Sequence, residues 1–151
     1  MQDRYLIDKS ALARWTKPGV RHVLKPLHER CLLAVCQPTE YEMIHSARDS
    51  AEATRISTWL RAFDYVHSTS DTFARALEVQ QHALNAGFHR ALSLPDLLIA
   101  ATAELNRLTV LHYDGDFDMI ASLTGQPTEW VVPPGTPADE CQPRSPLQAA
   151  P

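Results

Sequence analysis

Five short apolar runs, separated by segments of helical periodicity, leave this chain few folds to choose from. Tyr5-Leu-Ile7, Cys31-Leu-Leu-Ala-Val-Cys36, Tyr65-Val-His67, Thr109-Val-Leu-His112 and Glu129-Trp-Val-Val132 are too short to stand as helices and have the composition of buried strands. Residues 10–15 read as a short helix stopped before Pro18, and residues 19–30 put Val20, Val23, Leu24 and Leu27 at helical spacing. Pro38 opens a further helix, residues 51–63 and 71–85 supply two more, and Gly87 follows the second of these as a glycine past a helix end often does. Ser93-Leu-Pro-Asp96 begins a helix with Pro95 suited to its first turn; residues 97–105 are nearly all apolar and predict a buried helix, and residues 117–123 form the last one. Strands and helices in this alternation predict an α/β domain with a mostly parallel central sheet.

A chain of 151 residues with 44% hydrophobic residues suits one domain, expected over residues 1–132. Residues 133–151 carry six prolines and little to bury, and are expected to be a disordered tail. Cys31, Cys36 and Cys141 form an odd set without a C-x-x-C pair, which argues against a disulfide framework or a zinc site. No apolar run approaches the roughly 18–20 residues that span a bilayer, and no basic-then-apolar leader is visible, so a soluble, unprocessed, cytoplasmic protein without membrane partners is expected. The net charge of −4 disfavours indiscriminate nucleic-acid binding, yet residues 1–30 hold seven of the fourteen basic residues, while eight acids from Asp96 onward face only Arg107 and Arg144. Such segregation fits a basic rim beside an acidic pocket, or ordinary solvated helix faces.

The acids point to chemistry. Asp114, Asp116 and Asp118 alternate directly after an apolar strand; alone they read as a polar loop entering a helix, whose free N–H groups favour aspartate. In an open parallel sheet, however, ligands gather beyond the carboxyl ends of the strands. Asp8 and Asp114 both sit at such ends, and Asp96 sits in the first turn of a buried helix. Carboxylates brought within 4 Å repel by on the order of 4 kcal/mol per pair at an effective dielectric of 20. A hard divalent cation offsets that repulsion, and the chemistry it suggests is metal-assisted phosphodiester hydrolysis. The helix after Pro38 offers Glu40 and Glu42, about 200° apart, so only one faces the pocket.

Tyr5-Leu-Ile-Asp-Lys-Ser-Ala-Leu12, Thr39-Glu-Tyr-Glu42, Leu94-Pro-Asp-Leu-Leu-Ile-Ala-Ala-Thr-Ala103 and Val110-Leu-His-Tyr-Asp-Gly-Asp-Phe117 together resemble the four acidic motifs of the PIN-domain ribonucleases, and most closely the VapC-type toxins of type II toxin-antitoxin pairs. The similarity runs over residues 4–132. It implies a three-layer α/β/α fold and a Mg²⁺- or Mn²⁺-dependent endoribonuclease acting on RNA, usually a homodimer, inhibited by a small VapB-type antitoxin. It also implies a catalytic set of Asp8, Glu42, Asp96, Asp114 and Asp116, with Asp8, Asp96, Asp114 and Asp116 as metal ligands, and favours Glu42 over Glu40. The family often has threonine where Lys9 stands, and threonine or serine where His112 stands. Ser10 is expected to cap the first helix or to orient Asp8.

Other residues carry less. The seven histidines show no metal-binding spacing; His112, two residues before Asp114, is the one with a possible reach to RNA. Trp15, Trp59 and Trp130 lie in apolar patterns and are expected in the core or a dimer contact. Asp118 is expected to face solvent. A competing function is a non-catalytic module whose acidic pocket accepts a basic side chain from a partner. An aspartyl phosphotransferase is disfavoured, because Ser10 stands where a second aspartate is needed.

Overall fold

The computed structural model describes residues 3–136. Most of the proline-rich segment and Cys141 lie outside the described residues. The elements in chain order are β1 (Tyr5–Ile7), α1 (Lys9–Leu12), α2 (Pro18–Glu29), β2 (Leu33–Val35), α3 (Gln37–His45), α4 (Ser50–Leu60), β3 (Asp64–Tyr65), α5 (Ser70–Ala86), α6 (Leu94–Leu105), β4 (Thr109–His112), α7 (Asp116–Thr124) and β5 (Thr128–Trp130). A 3₁₀ turn, His89–Ala91, precedes α6 and has no counterpart in the sequence reading.

The strands form one sheet in the order β3-β2-β1-β4-β5, every pairing parallel. Side chains alternate across it. Leu6, Ala34 and Val110 pack on one face against Val79 and Ala83 of α5, Ile99 and Ala103 of α6, and Phe117 and Ile120 of α7. Ile7, Leu33, Val35 and Leu111 pack on the other against Val20 and Leu24 of α2, Met43 of α3 and Leu60 of α4. Two helical layers therefore enclose the sheet, the α/β/α arrangement expected. Trp15 and Trp59 meet edge to face, with ring centroids 5.4 Å apart, in a cluster with Phe63 and His28 on the second face.

The elements differ from the sequence expectations mainly at their ends. β2 starts at Leu33, not Cys31, because Cys31 takes a left-handed φ of 54° and, with Leu32, bonds back to the carbonyls of His28 and Leu27. Gly87 closes α5 at φ 85°, a conformation its lack of a Cβ makes inexpensive. β5 stops at Trp130; Val131 gives one more bond to the His112 carbonyl at 2.7 Å before Val131 and Val132 turn into the core.

Leu6 is fully buried at the centre of the sheet, whereas Lys25 lies exposed beside Glu29. Leu6→Ala should lower the urea-unfolding free energy by about 2–5 kcal/mol, and Lys25→Ala by no more than about 0.5 kcal/mol.

Candidate active site

Parallel pairing of β1 with β4, Ile7 opposite Leu111, sends both strands out of the same edge of the sheet. The Asp8 amide donates to the Leu111 carbonyl at 2.9 Å, so the chain leaves the ladder at Asp8 itself. Asp114 lies two residues past β4. α6 contributes Asp96 in its first turn, where Ser93 caps the helix by accepting from the Asp96 amide at 3.2 Å. α3 brings Glu42. These residues, with Asp116, line an open cleft of about 320 Å³, together with Lys9, Ser10, Ala13 and Ser93.

Each carboxylate is positioned by a specific contact. Asp8 caps α1 through Oδ2, which accepts from the Ser10 amide at 2.8 Å. The Ser10 hydroxyl caps nothing: it accepts from the Tyr113 amide at 2.8 Å and ties α1 to the loop that carries Asp114. Asp114 Oδ1 accepts from the Asp116 amide at 3.0 Å. Thr39, buried in the first turn of α3, donates to the Ile7 carbonyl at 3.2 Å and holds that helix against the end of β1. Glu42, one turn along, then faces the cleft, while Glu40 accepts from the Tyr65 hydroxyl at 2.7 Å away from it.

Two oxygens stand out. Asp8 Oδ1 and Glu42 Oε2 are buried without a hydrogen-bond partner, an expensive state for a carboxylate unless a cation arrives. Ligand atoms of Asp8, Glu42 and Asp96 lie within 4.8 Å of one another, as do those of Asp96, Asp114 and Asp116. Asp96 belongs to both groups. Only carboxylate oxygens are on offer, which suits a hard divalent ion and not a thiophilic one. The residues therefore fit such an ion, and Glu42, read from sequence as catalytic but not as a ligand, stands among its possible holders.

Electrostatics agree with the geometry. Burial raises Asp8, with the Asp114 charge a smaller contribution, and burial followed by the Asp8 charge raises Glu42. Burial, with repulsion from Asp8, pushes Asp96 up to about 8. His112 moves the other way, down to about 4, because burial disfavours its charged form. The Asp114 amide donates to His112 Nδ1 at 3.1 Å, so the ring proton sits on Nε2. Fully buried between Phe117 and Trp130, His112 is a core residue that shapes the Asp114 loop and has no solvent-facing surface to offer RNA. Asp118 lies outside the cleft, exposed, and accepts from the Trp130 indole at 3.0 Å.

The PIN domain family matches residues 5–123 of this chain. The chain belongs to the PIN-domain family. Ribonuclease VapC21 of Mycobacterium tuberculosis is 48% identical to it over 90% of this chain and 99% of the relative. Ribonuclease VapC51 of the same species is 46% identical, covering 88% and 96% respectively. The solved structure of a DNA-bound VapBC from Salmonella typhimurium shares the fold with a TM-score of 0.70 at 14% identity, covering 87% of this chain and all of that one. In this PIN domain the sequence reading missed Ser93 as the cap that orients Asp96 and Ser10 as the link to Tyr113. A serine three residues before Asp96 was the available signal for the first; nothing local signalled the second, which spans 103 residues.

Stability should register the buried carboxylates. Asp96 holds its proton in the folded state up to about pH 8 against an ordinary 3.8, so this contribution is full at low pH and is lost as pH rises through about 8. Asp8 and Glu42 act in the same direction. His112 acts oppositely: its contribution is present above 6.5 and lost as pH falls through about 4. In EDTA, the melting temperature should therefore fall between pH 6.5 and 8, and Mn²⁺ should relieve the fall. At pH 8 without metal, Asp8→Asn should melt about 2–4 °C above wild type but lose the Mn²⁺-induced gain, both readable by scanning calorimetry.

Proposed function

We propose that this protein is a Mg²⁺- or Mn²⁺-dependent endoribonuclease, the toxin of a VapBC-type pair, which hydrolyses RNA phosphodiesters in the cytoplasm and is restrained by a small VapB-type antitoxin. One observation carries the reading: the unpartnered, buried oxygens of Asp8 and Glu42 belong to a cleft that is also lined by the carboxylates of Asp96, Asp114 and Asp116. The relatives named ribonucleases support the substrate class, and the structural neighbour that is a VapBC complex supports the kind of partner. Among the described residues no helix is long and apolar enough to cross a membrane. The exposed Phe73, Leu77 and Leu84 of α5 support a homodimer contact on that helix.

Asp8, Asp96, Asp114 and Asp116 would hold the ion, with Glu42 completing the wall from α3. When bound, a divalent ion supplies Lewis acidity, which makes water a better nucleophile and offsets the charge that builds on the phosphoryl oxygens. The chain's own groups do the rest. Ser10 fixes the Asp8 carboxylate so that Oδ1 stays turned to the cleft. Asp96, whose carboxyl burial lifts to about 8, would have to be deprotonated to hold an ion, which would couple occupancy to pH. Glu42, raised by burial and by Asp8, keeps proton affinity suited to accepting the proton that an attacking water gives up. The Arg14 guanidinium, 4.5 Å over the Tyr113 ring beside the cleft, adds positive charge where RNA approaches.

Purified protein should cleave structured RNA only with Mg²⁺ or Mn²⁺ added. Glu42→Gln should reduce the rate by about 10²–10⁴-fold, Asp96→Asn should abolish metal-dependent cleavage, and Glu40→Gln, outside the cleft, should stay near wild type. Metal-independent cleavage, or equal rates for Asp96→Asn and wild type, would overturn the proposal.

A further inference from the structure

We infer that Lys9 is the phosphate-binding residue of the cleft, the fixed cation that admits a polyanion to a pocket walled by carboxylates. The inference rests on the ribonuclease reading and names the group that receives the substrate phosphate. Among the described residues that line the cleft, Lys9 is the one basic side chain, against Asp8, Glu42, Asp96, Asp114 and Asp116. With these ionised, the negative charges outnumber what one divalent ion can offset. An RNA phosphodiester entering such a site meets like charge, and affinity for RNA depends first on cations placed against phosphates. A cationic side chain in the wall meets that need at the point where the bond is to be broken.

Lys9 is also not committed elsewhere. Arg4 is paired with Asp64, Lys25 with Glu29, Arg48 with Glu52, and Arg75 with Glu78 and Glu104. Arg14 is held by the Ser10 carbonyl and the Tyr113 ring. Lys9 forms no ion pair within 4.0 Å among the described residues, although it is half-buried and sits directly after Asp8. A lysine placed to hold the carboxylates together would close onto one of them; the Lys9 side chain lines the cleft they share and makes no ion pair with any of them, as a group reserved for an incoming anion would. Ammonium suits that task because its three donors rotate to follow a moving phosphate.

Lys9→Gln and Lys9→Arg test this in the full-length protein, with cleavage of single-stranded RNA in Mn²⁺ followed across a salt series and Mn²⁺ binding measured separately by calorimetry. Lys9→Gln should raise KM about tenfold with kcat little changed. The slope of log kcat/KM against log salt should become shallower by about 0.7, the share of one phosphate contact on a single strand. Mn²⁺ affinity should be unchanged or tighter, because a cation has left the neighbourhood of the ion, and Lys9→Arg should restore KM. A Lys9→Gln protein with wild-type KM and salt slope would overturn the assignment while leaving the nuclease intact. Loss of Mn²⁺ affinity and melting temperature along with activity would make Lys9 a structural prop, which also overturns it. A wild-type protein that cleaves no RNA at any metal concentration would overturn the ribonuclease reading itself.

Discussion

The pairing of β1 with β4 is the constraint on which the rest of the molecule depends. Tyr5, Leu6 and Ile7 lie beside Thr109, Val110 and Leu111, and this register places two strand ends, and hence Asp8 and Asp114, side by side although about a hundred residues separate them. The contact is held by the burial of apolar side chains on both faces, with Leu6 and Val110 toward one helical layer and Ile7 and Leu111 toward the other. A slip of one residue would turn each of these side chains to the wrong layer, so the packing that stabilises the sheet also fixes the spacing of the acids.

What that pairing assembles is locally unfavourable. Asp8 and Asp96 are buried, Glu42 is half-buried, and all three are shifted toward their neutral forms by desolvation first and by one another second. The surrounding fold supports this strain with contacts that are themselves ordinary: a helix cap at Ser93, a buried hydroxyl at Thr39, a serine that accepts from a distant amide. Function, on the proposed nuclease reading, and stability are opposed within one cleft, and a divalent cation would reconcile them. The same argument gives the lone cleft lysine its interest, since charge that an ion alone leaves uncompensated has to be met by the chain when the substrate is itself an anion.

Membership of the PIN-domain family agrees with the strand order and with the placement of the acidic motifs, and relatives close to half identical along nearly their whole length carry the name ribonuclease. The departures are informative in their own right. His112, at the end of β4, is packed between Phe117 and Trp130 and bonds the Asp114 amide through its ring, so a bulky residue there shapes the loop from beneath and stays away from solvent.

Much of this was legible in the amino-acid order because it depends on neighbours in sequence. Apolar runs of three or four residues mark strands, Gly87 marks the end of α5, Pro95 and Ser93 mark the start of α6, and aspartates at strand ends mark a site at the sheet edge. Other features were decided only by tertiary packing. Glu42 and Glu40 sit on one short helix, and which of them enters the cleft depends on the rotation that Thr39 sets by bonding to β1. The Ser10 hydroxyl accepts from the Tyr113 amide, 103 residues along the chain, a partner that only the packing of α1 against the loop after β4 supplies. Local periodicity specifies what each segment is, but the direction a polar side chain takes depends on partners far along the chain, and those partners are fixed only when the sheet closes.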